Sequence, residues 1–150
     1  MKNLFNEEEA EACIQRIERL TNDSTALWGK MNAAQMLAHL CVQYDMAFSD
    51  KYPKPGRIAR FFLHLFVRDT VIGNKPYKRN SPTAPAFRMD SPKNFEEEKK
   101  RLIGYIQKAQ EAGESYFEGK ESLSFGKLSA RQWNVMFSKH NDHHLSQFGV

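Results

Sequence analysis

The chain has 150 residues, of which 41% are hydrophobic and 27% charged, and its formal net charge is +4. This composition is typical of a globular protein, and a chain of this length forms one domain by default. No apolar run approaches the roughly 20 residues that cross a bilayer, which excludes a transmembrane helix. We therefore expect a single domain over residues 1–150.

The amino-terminal stretch MKNLFNEEEAEA has no apolar core of the kind that signal peptides carry. The two cysteines, Cys13 and Cys41, have no metal-type or redox-type spacing, and each lies inside a predicted helix. We expect both to be reduced and buried, and the protein to be cytoplasmic.

The first two predicted helices have clear capping signals. Asn6 can cap a helix over about residues 7–20, whose apolar residues recur at helical spacing. Asn32, with Gln35 three positions later, predicts a capping box at the start of a second helix that ends near Phe48. Ala, Leu and Met residues dominate this second segment and favour the helix.

The middle of the chain alternates helix and loop. After the break KYPKPG, residues 57–71 form an unusually apolar predicted helix. Residues 73–93 contain four prolines and no periodicity, which predicts a long loop and a possible lid. Asn94 can cap a further helix that ends near Ala112, where Gly113 predicts a stop.

The last predicted helix follows a second loop, residues 114–128. Ser129, with Gln132 three positions later, predicts a capping box, and the helix then runs nearly to the carboxyl terminus. No strand pattern and no internal repeat is visible. The sequence therefore predicts an all-α protein, a bundle of up to five helices with long crossover loops.

Three of the five histidines lie in the stretch KHNDHHLSQF, residues 139–148. One face of the last helix is apolar in its first half and carries imidazole and amide groups in its second: Trp133, Met136, Phe137, His140, His144 and Gln147. His140 and His144, four apart, have the spacing that helical metal sites use for two ligands. His143 lies three from His140, so spacing alone does not choose between His143 and His144.

A stable metal site needs a further ligand from another element. His39 is the candidate, because it lies in the middle of the apolar second helix, where an imidazole needs a partner. Three histidines would leave coordination positions open for water or substrate, as in catalytic sites. The alternative is that His39 is a hydrogen-bonded core residue, which is the more common role of a single buried histidine.

The segments LWGKMNAAQMLAHL and FGKLSARQWNVMFSKHNDHHLSQFG resemble the DinB-like superfamily, in a branch classed as a domain of unknown function. The residues that match the superfamily pattern are Trp28, His39, His140, His144 and Gln147. The resemblance implies a four-helix-bundle core with an additional helix, frequent homodimers, and a divalent metal (Ni, Zn or Fe) held by the three histidines. It leaves His143 a role beside the ligands or facing the substrate.

Characterised relatives of this kind include transferases that use low-molecular-weight thiols, so the resemblance implies a metal-dependent thiol transferase acting on a small electrophile. A hydrolase would use a carboxylate base, but Asp45 and Asp142 are out of phase with the proposed ligands. Gln43 and Gln147 are better placed, and amides orient ligands without acting as bases. A hydrolase and a non-catalytic metal or small-molecule binding protein remain the alternatives.

The charge is uneven, because residues 51–79 carry eight Lys or Arg against Asp69 alone, a local charge of +7. The segment RIARFFLHLFVR within it fits a membrane-surface helix, but a bundle core or a dimer interface is favoured. We expect a homodimer, a small-molecule substrate, no nucleic acid and no membrane partner. An anionic substrate is a further hypothesis, in which cations line its approach beneath the proline-rich loop: Lys51, Lys54, Arg57, Lys75 and Lys78.

Overall fold

The computed structural model describes residues 2–150 and is mainly helical, which confirms the predicted all-α class. The helices are α1 (Glu7–Glu18), α2 (Ala33–Phe48), α3 (Arg57–Phe62), α4 (Arg68–Ile72), α5 (Phe95–Phe117) and α6 (Ala130–Gln147). A π-helical turn, Leu63–Val67, joins α3 to α4, and a short 3₁₀ turn spans Pro85–Phe87.

The predicted helix starts are confirmed by their side-chain caps. Asn32 and Gln35 form a reciprocal capping box at the start of α2, and Ser129 and Gln132 form another at the start of α6. Asn6 caps α1 through the backbone N–H of the third helical residue. These caps satisfy amide groups that a helix leaves unpaired in its first turn.

The helix stop predicted at Gly113 is confirmed, but the loop predicted over residues 114–128 is only partly correct. Gly113 has a left-handed φ of +69° and interrupts the helical backbone, and a further helical turn then extends α5 to Phe117. The following loop contains a two-stranded antiparallel hairpin, β1 (Glu121–Ser122) and β2 (Gly126–Lys127). The sequence shows no alternating pattern here because each strand has only two residues.

The four longer helices pack on one another around one apolar cluster. α2 lies against α5 and α6, and α1 contacts both α5 and α6. Aromatic rings fill the centre, where Phe117 and Phe137 are fully buried against Trp133. Cys13 and Cys41 are free and buried in this core, as predicted, and burial raises the pKa of each thiol to about 11. This packing brings the middle of α2 against the second half of α6.

The helical segment over residues 57–72 does not join that core. Six of its large apolar side chains are between 36% and 76% exposed: Ile58, Phe61, Phe62, Leu65, Phe66 and Val67. The interpretation of this segment as part of the chain's own bundle core is therefore wrong. It presents an apolar face outward, and we call these six residues the apolar face.

Within residues 2–150, each helix is too short or too polar to cross a bilayer.

Candidate metal centre

The three predicted ligands come together where α2 crosses α6. His39 is 4% exposed and His144 is 9% exposed, and His140 is half-buried between them. The ring centroids of the three imidazoles are 4.5 to 4.9 Å apart. The spacing of four residues on α6 places two of the rings side by side, and the packing of α2 supplies the third.

Hydrogen bonds on the outer side of two rings determine where their protons lie. Nδ1 of His39 is 2.8 Å from the carbonyl oxygen of Phe87, which can only accept. Nδ1 of His144 is 2.7 Å from Oε1 of Gln147, whose Nε2 donates to the carbonyl of Trp28 at 2.5 Å. Both rings therefore carry their proton on Nδ1, and each keeps a lone pair on Nε2.

The environment also keeps the imidazoles uncharged. Burial lowers the pKa of His144 from 6.5 to about 3 and holds the pKa of His140 well below 6.5. Burial also lowers the pKa of His39, although the hydrogen bond to Phe87 acts in the opposite direction. At neutral pH all three rings are therefore neutral, which is the form that binds metals.

The spacing of the ring nitrogens is compatible with a shared cation. The three ligand nitrogens lie within 4.8 Å of one another, and Nε2 of His39 is 2.9 Å from Nε2 of His140. Two imidazole nitrogens that each lie about 2.0–2.1 Å from one cation are about 2.8–3.4 Å apart. The triad of His39, His140 and His144 could therefore hold a divalent metal ion.

The proline-rich loop, residues 73–93, lies over the triad. The Phe87 ring lies 5.3 Å from the His39 ring and 5.7 Å from the His140 ring. The Tyr77 ring lies edge-on to His140, with centroids 6.0 Å apart. Sequence reasoning identified the loop as a possible lid but missed Tyr77 and Phe87, because a loop without periodicity gives no signal for which side chains face inward.

His143 lies beside the triad and outside it. Its ring is half-buried and lies 4.9 Å from His144, 5.6 Å from Tyr77 and 5.9 Å from Trp28. The guanidinium of Arg79 lies over the Trp28 ring at 4.1 Å. Tyr77, Trp28 and Arg79 therefore form, with His143, a mixed aromatic and basic surface next to His144.

The predicted amide neighbours have different positions. Gln147 orients His144 directly, whereas Gln43 donates from Nε2 to Asn141 at 2.8 Å. Asn141 in turn donates to the hydroxyl of Tyr44. Gln43 therefore joins α2 to α6 through a buried amide network next to the triad.

The two nearby carboxylates are engaged elsewhere. Asp142 accepts a hydrogen bond from Arg16 at 2.6 Å. Asp45 accepts a hydrogen bond from Tyr105 and pairs with Lys51. Within residues 2–150, no carboxylate joins the cluster of candidate ligand atoms.

The fold and the site define a helical protein with a candidate three-histidine metal centre. A family model described as "Protein of unknown function (DUF1569)" matches residues 2–149, and the chain therefore belongs to this family. Comparisons with curated proteins and with solved structures gave no match.

The position of Gln147 depends on a glycine. Gly29 has a left-handed φ of +85°, and a Cβ added there would clash with Nε2 of Gln147. That amide is buried and bonded at both ends, so it cannot move without losing hydrogen bonds. We predict that Gly29→Ala lowers the free energy of unfolding, measured by denaturant titration, because it adds a clash to backbone strain.

Gly119→Ala is the matched control, because Gly119 also has a left-handed φ, of +73°, but faces open space. We expect the control to lose about 1–2 kcal/mol from backbone strain alone. Gly29→Ala should lose about 1–3 kcal/mol more, the cost of breaking the buried bonds of Gln147. Equal losses in the two variants would contradict the proposed contact.

Proposed function

We propose that the chain is a DinB-like protein that binds one divalent metal ion through His39, His140 and His144. The observation that carries the proposal is the convergence of three neutral imidazoles, two of which are hydrogen-bonded at Nδ1 and so keep a lone pair on Nε2. The packing of α1, α2, α5 and α6 supports a four-helix-bundle core in one domain, with residues 57–72 as the additional helix.

The chain's own residues would prepare this site for a cation such as nickel, zinc or iron. The Phe87 carbonyl and the Gln147 amide fix two rings in the orientation that a ligand needs, and a hydrogen bond at Nδ1 raises the basicity of Nε2. Tyr77 and Phe87 cover the triad with aromatic surface and limit the access of water.

We propose that the reaction is the transfer of a low-molecular-weight thiol to a small electrophilic substrate. A divalent cation held by this triad would lower the pKa of a bound thiol and so provide a nucleophile near neutral pH. Hydrolysis is less well supported, because Asp45 and Asp142 are held by other residues and no amide at the site can serve as a base. A non-catalytic metal-binding protein is the second candidate.

Metal binding is tested on protein purified without a tag, loaded with zinc or nickel, desalted and analysed for metal content. We expect about one metal ion per chain in the wild type and a loss of most of it in His39→Ala and His144→Ala, because each removes one of three ligands. Gln147→Ala should weaken metal affinity about 10- to 100-fold, since it removes the group that orients His144.

His64→Ala is the matched control, because His64 is exposed in the apolar segment away from the triad. We expect this variant to bind metal as the wild type does. Full metal content in both His39→Ala and His144→Ala would refute the site.

Catalysis is tested on the fully metal-loaded protein with a panel of thiols (glutathione, bacillithiol, mycothiol and cysteine) and a chromogenic electrophile. We expect turnover with at least one thiol, and its loss in His39→Ala. The absence of turnover with every thiol, in protein with full metal content, would favour the non-catalytic binding protein. Release of an acyl or phosphoryl product without any thiol would favour the hydrolase.

We also propose that the apolar face is the interface of a homodimer. About 100 Å² is exposed on each of its six side chains, so the apolar face exposes roughly 600 Å² of apolar surface. This area is at the upper end of the range of areas found for the largest exposed apolar patch on a typical monomer. It approaches the roughly 800 Å² that each partner contributes to a stable interface. A second copy of the chain is the occupant that an area of this size fits.

Phe66 is 69% exposed on this face, and Leu27 is 70% exposed outside it, which makes Leu27 a matched control. We predict that Phe66→Glu shifts the sedimenting species from dimer to monomer, because it places a charge in an apolar interface. Leu27→Glu should leave the dimer intact. A wild-type monomer that instead binds anionic vesicles through Phe66 would overturn the dimer and indicate a lipid surface.

A further inference from the structure

The proline-rich loop brings a cation to the side of the triad. Tyr77 contacts the rings of both His140 and His143. Two residues further on, the guanidinium of Arg79 stacks on the Trp28 ring at 4.1 Å. Trp28 in turn lies edge-on to His143, so Arg79 is one aromatic ring away from the histidine that adjoins His144.

Arg79 has no acidic partner among the residues that the structure describes. Three of the eight cations in residues 51–79 are paired with a carboxylate, since Lys51 contacts Asp45, and Lys54 and Arg60 contact Glu121. Arg79 instead offers one face to an indole, an arrangement that leaves the N–H groups at the edge of the guanidinium free to donate. Its side chain is exposed, so a small anion can reach it.

The surroundings of Arg79 also favour a negative charge. No carboxylate joins the neighbouring triad within residues 2–150. A planar carboxylate that accepts two hydrogen bonds from a guanidinium is the ligand that matches this geometry.

We infer that Arg79, stacked on the Trp28 ring that adjoins His143, forms a carboxylate-binding subsite next to the triad. This inference rests on the proposed metal function, because the subsite would hold the carboxylate of a small thiol whose sulfur lies at the triad. Trp28 connects the two parts, since its ring supports Arg79 and its backbone carbonyl holds Gln147, the partner of His144. The substrate class that we assign is therefore a thiol that also carries a carboxylate.

The first experiment compares two probes, 3-mercaptopropionate and the uncharged 3-mercaptopropanol, by calorimetric titration of zinc-loaded protein. We expect the wild type to bind the carboxylate probe about tenfold more tightly, as a charge-assisted pair with arginine allows. Arg79→Gln should bring this ratio to about one while the zinc content stays unchanged. Arg79→Lys should retain part of the preference, because a lysine keeps the charge but not the bidentate geometry.

Arg88→Gln is the matched control, because Arg88 is an exposed arginine of the same loop. We expect it to keep the wild-type ratio. A preference for the carboxylate probe that survives in Arg79→Gln would overturn the subsite, and so would a wild type with no preference.

A second measurement does not depend on metal. Propionate is titrated into the metal-free protein while the two indole N–H signals are followed by ¹⁵N-correlated NMR. We expect the Trp28 signal to shift in the wild type and not in Arg79→Gln, with the buried Trp133 as an internal reference. A Trp28 signal that is unmoved by propionate would refute the subsite even if the metal site is correct. A shift in protein that binds no zinc would support the subsite and refute the metal function alone.

Discussion

The direction of two ring protons determines what the histidine triad can bind. The carbonyl of Phe87 holds the proton of His39 on its outer nitrogen, and the amide of Gln147 does the same for His144. Two lone pairs therefore point into a buried space, where an unpaired polar group is costly. A proton on the inner nitrogen of His140 can form a hydrogen bond with one of these two lone pairs. A divalent cation can instead bind the inner nitrogens of all three rings. The hydrogen bonds outside the triad thus favour a cation within it.

The parts of the fold that depend on local interactions could be predicted from the sequence. Both capping boxes involve residues three positions apart, so Asn32 with Gln35 and Ser129 with Gln132 are visible in the sequence. The phase of the last helix likewise placed His140 and His144 on one face. The loop residues of the site could not be predicted, because the bond between His39 and Phe87 joins residues 48 positions apart and depends on packing.

The remaining errors of the sequence-based prediction concern which surface buries a given apolar side chain. Helical spacing predicts that one side of residues 57–72 is apolar, but it does not tell whether the chain itself or another surface covers that side. At Gly113 the rule for helix ends predicts the kink and not the continuation. A further helical turn follows the break because Phe117 is fully buried among Phe5, Trp133 and Phe137, and this packing is not visible in the local sequence.

The loop over the triad is fixed at two points that belong to the site itself. The ammonium of Lys139, the neighbour of His140, donates to three carbonyls at the end of α4 and the start of the loop: Thr70, Gly73 and Lys75. At its far end the loop is held by the bond between Phe87 and His39. Tyr77 and Arg79 lie between these anchors, so their positions depend on the same two helices that position the ligands. The surface that would select a substrate and the triad that would bind a metal are therefore one packed unit.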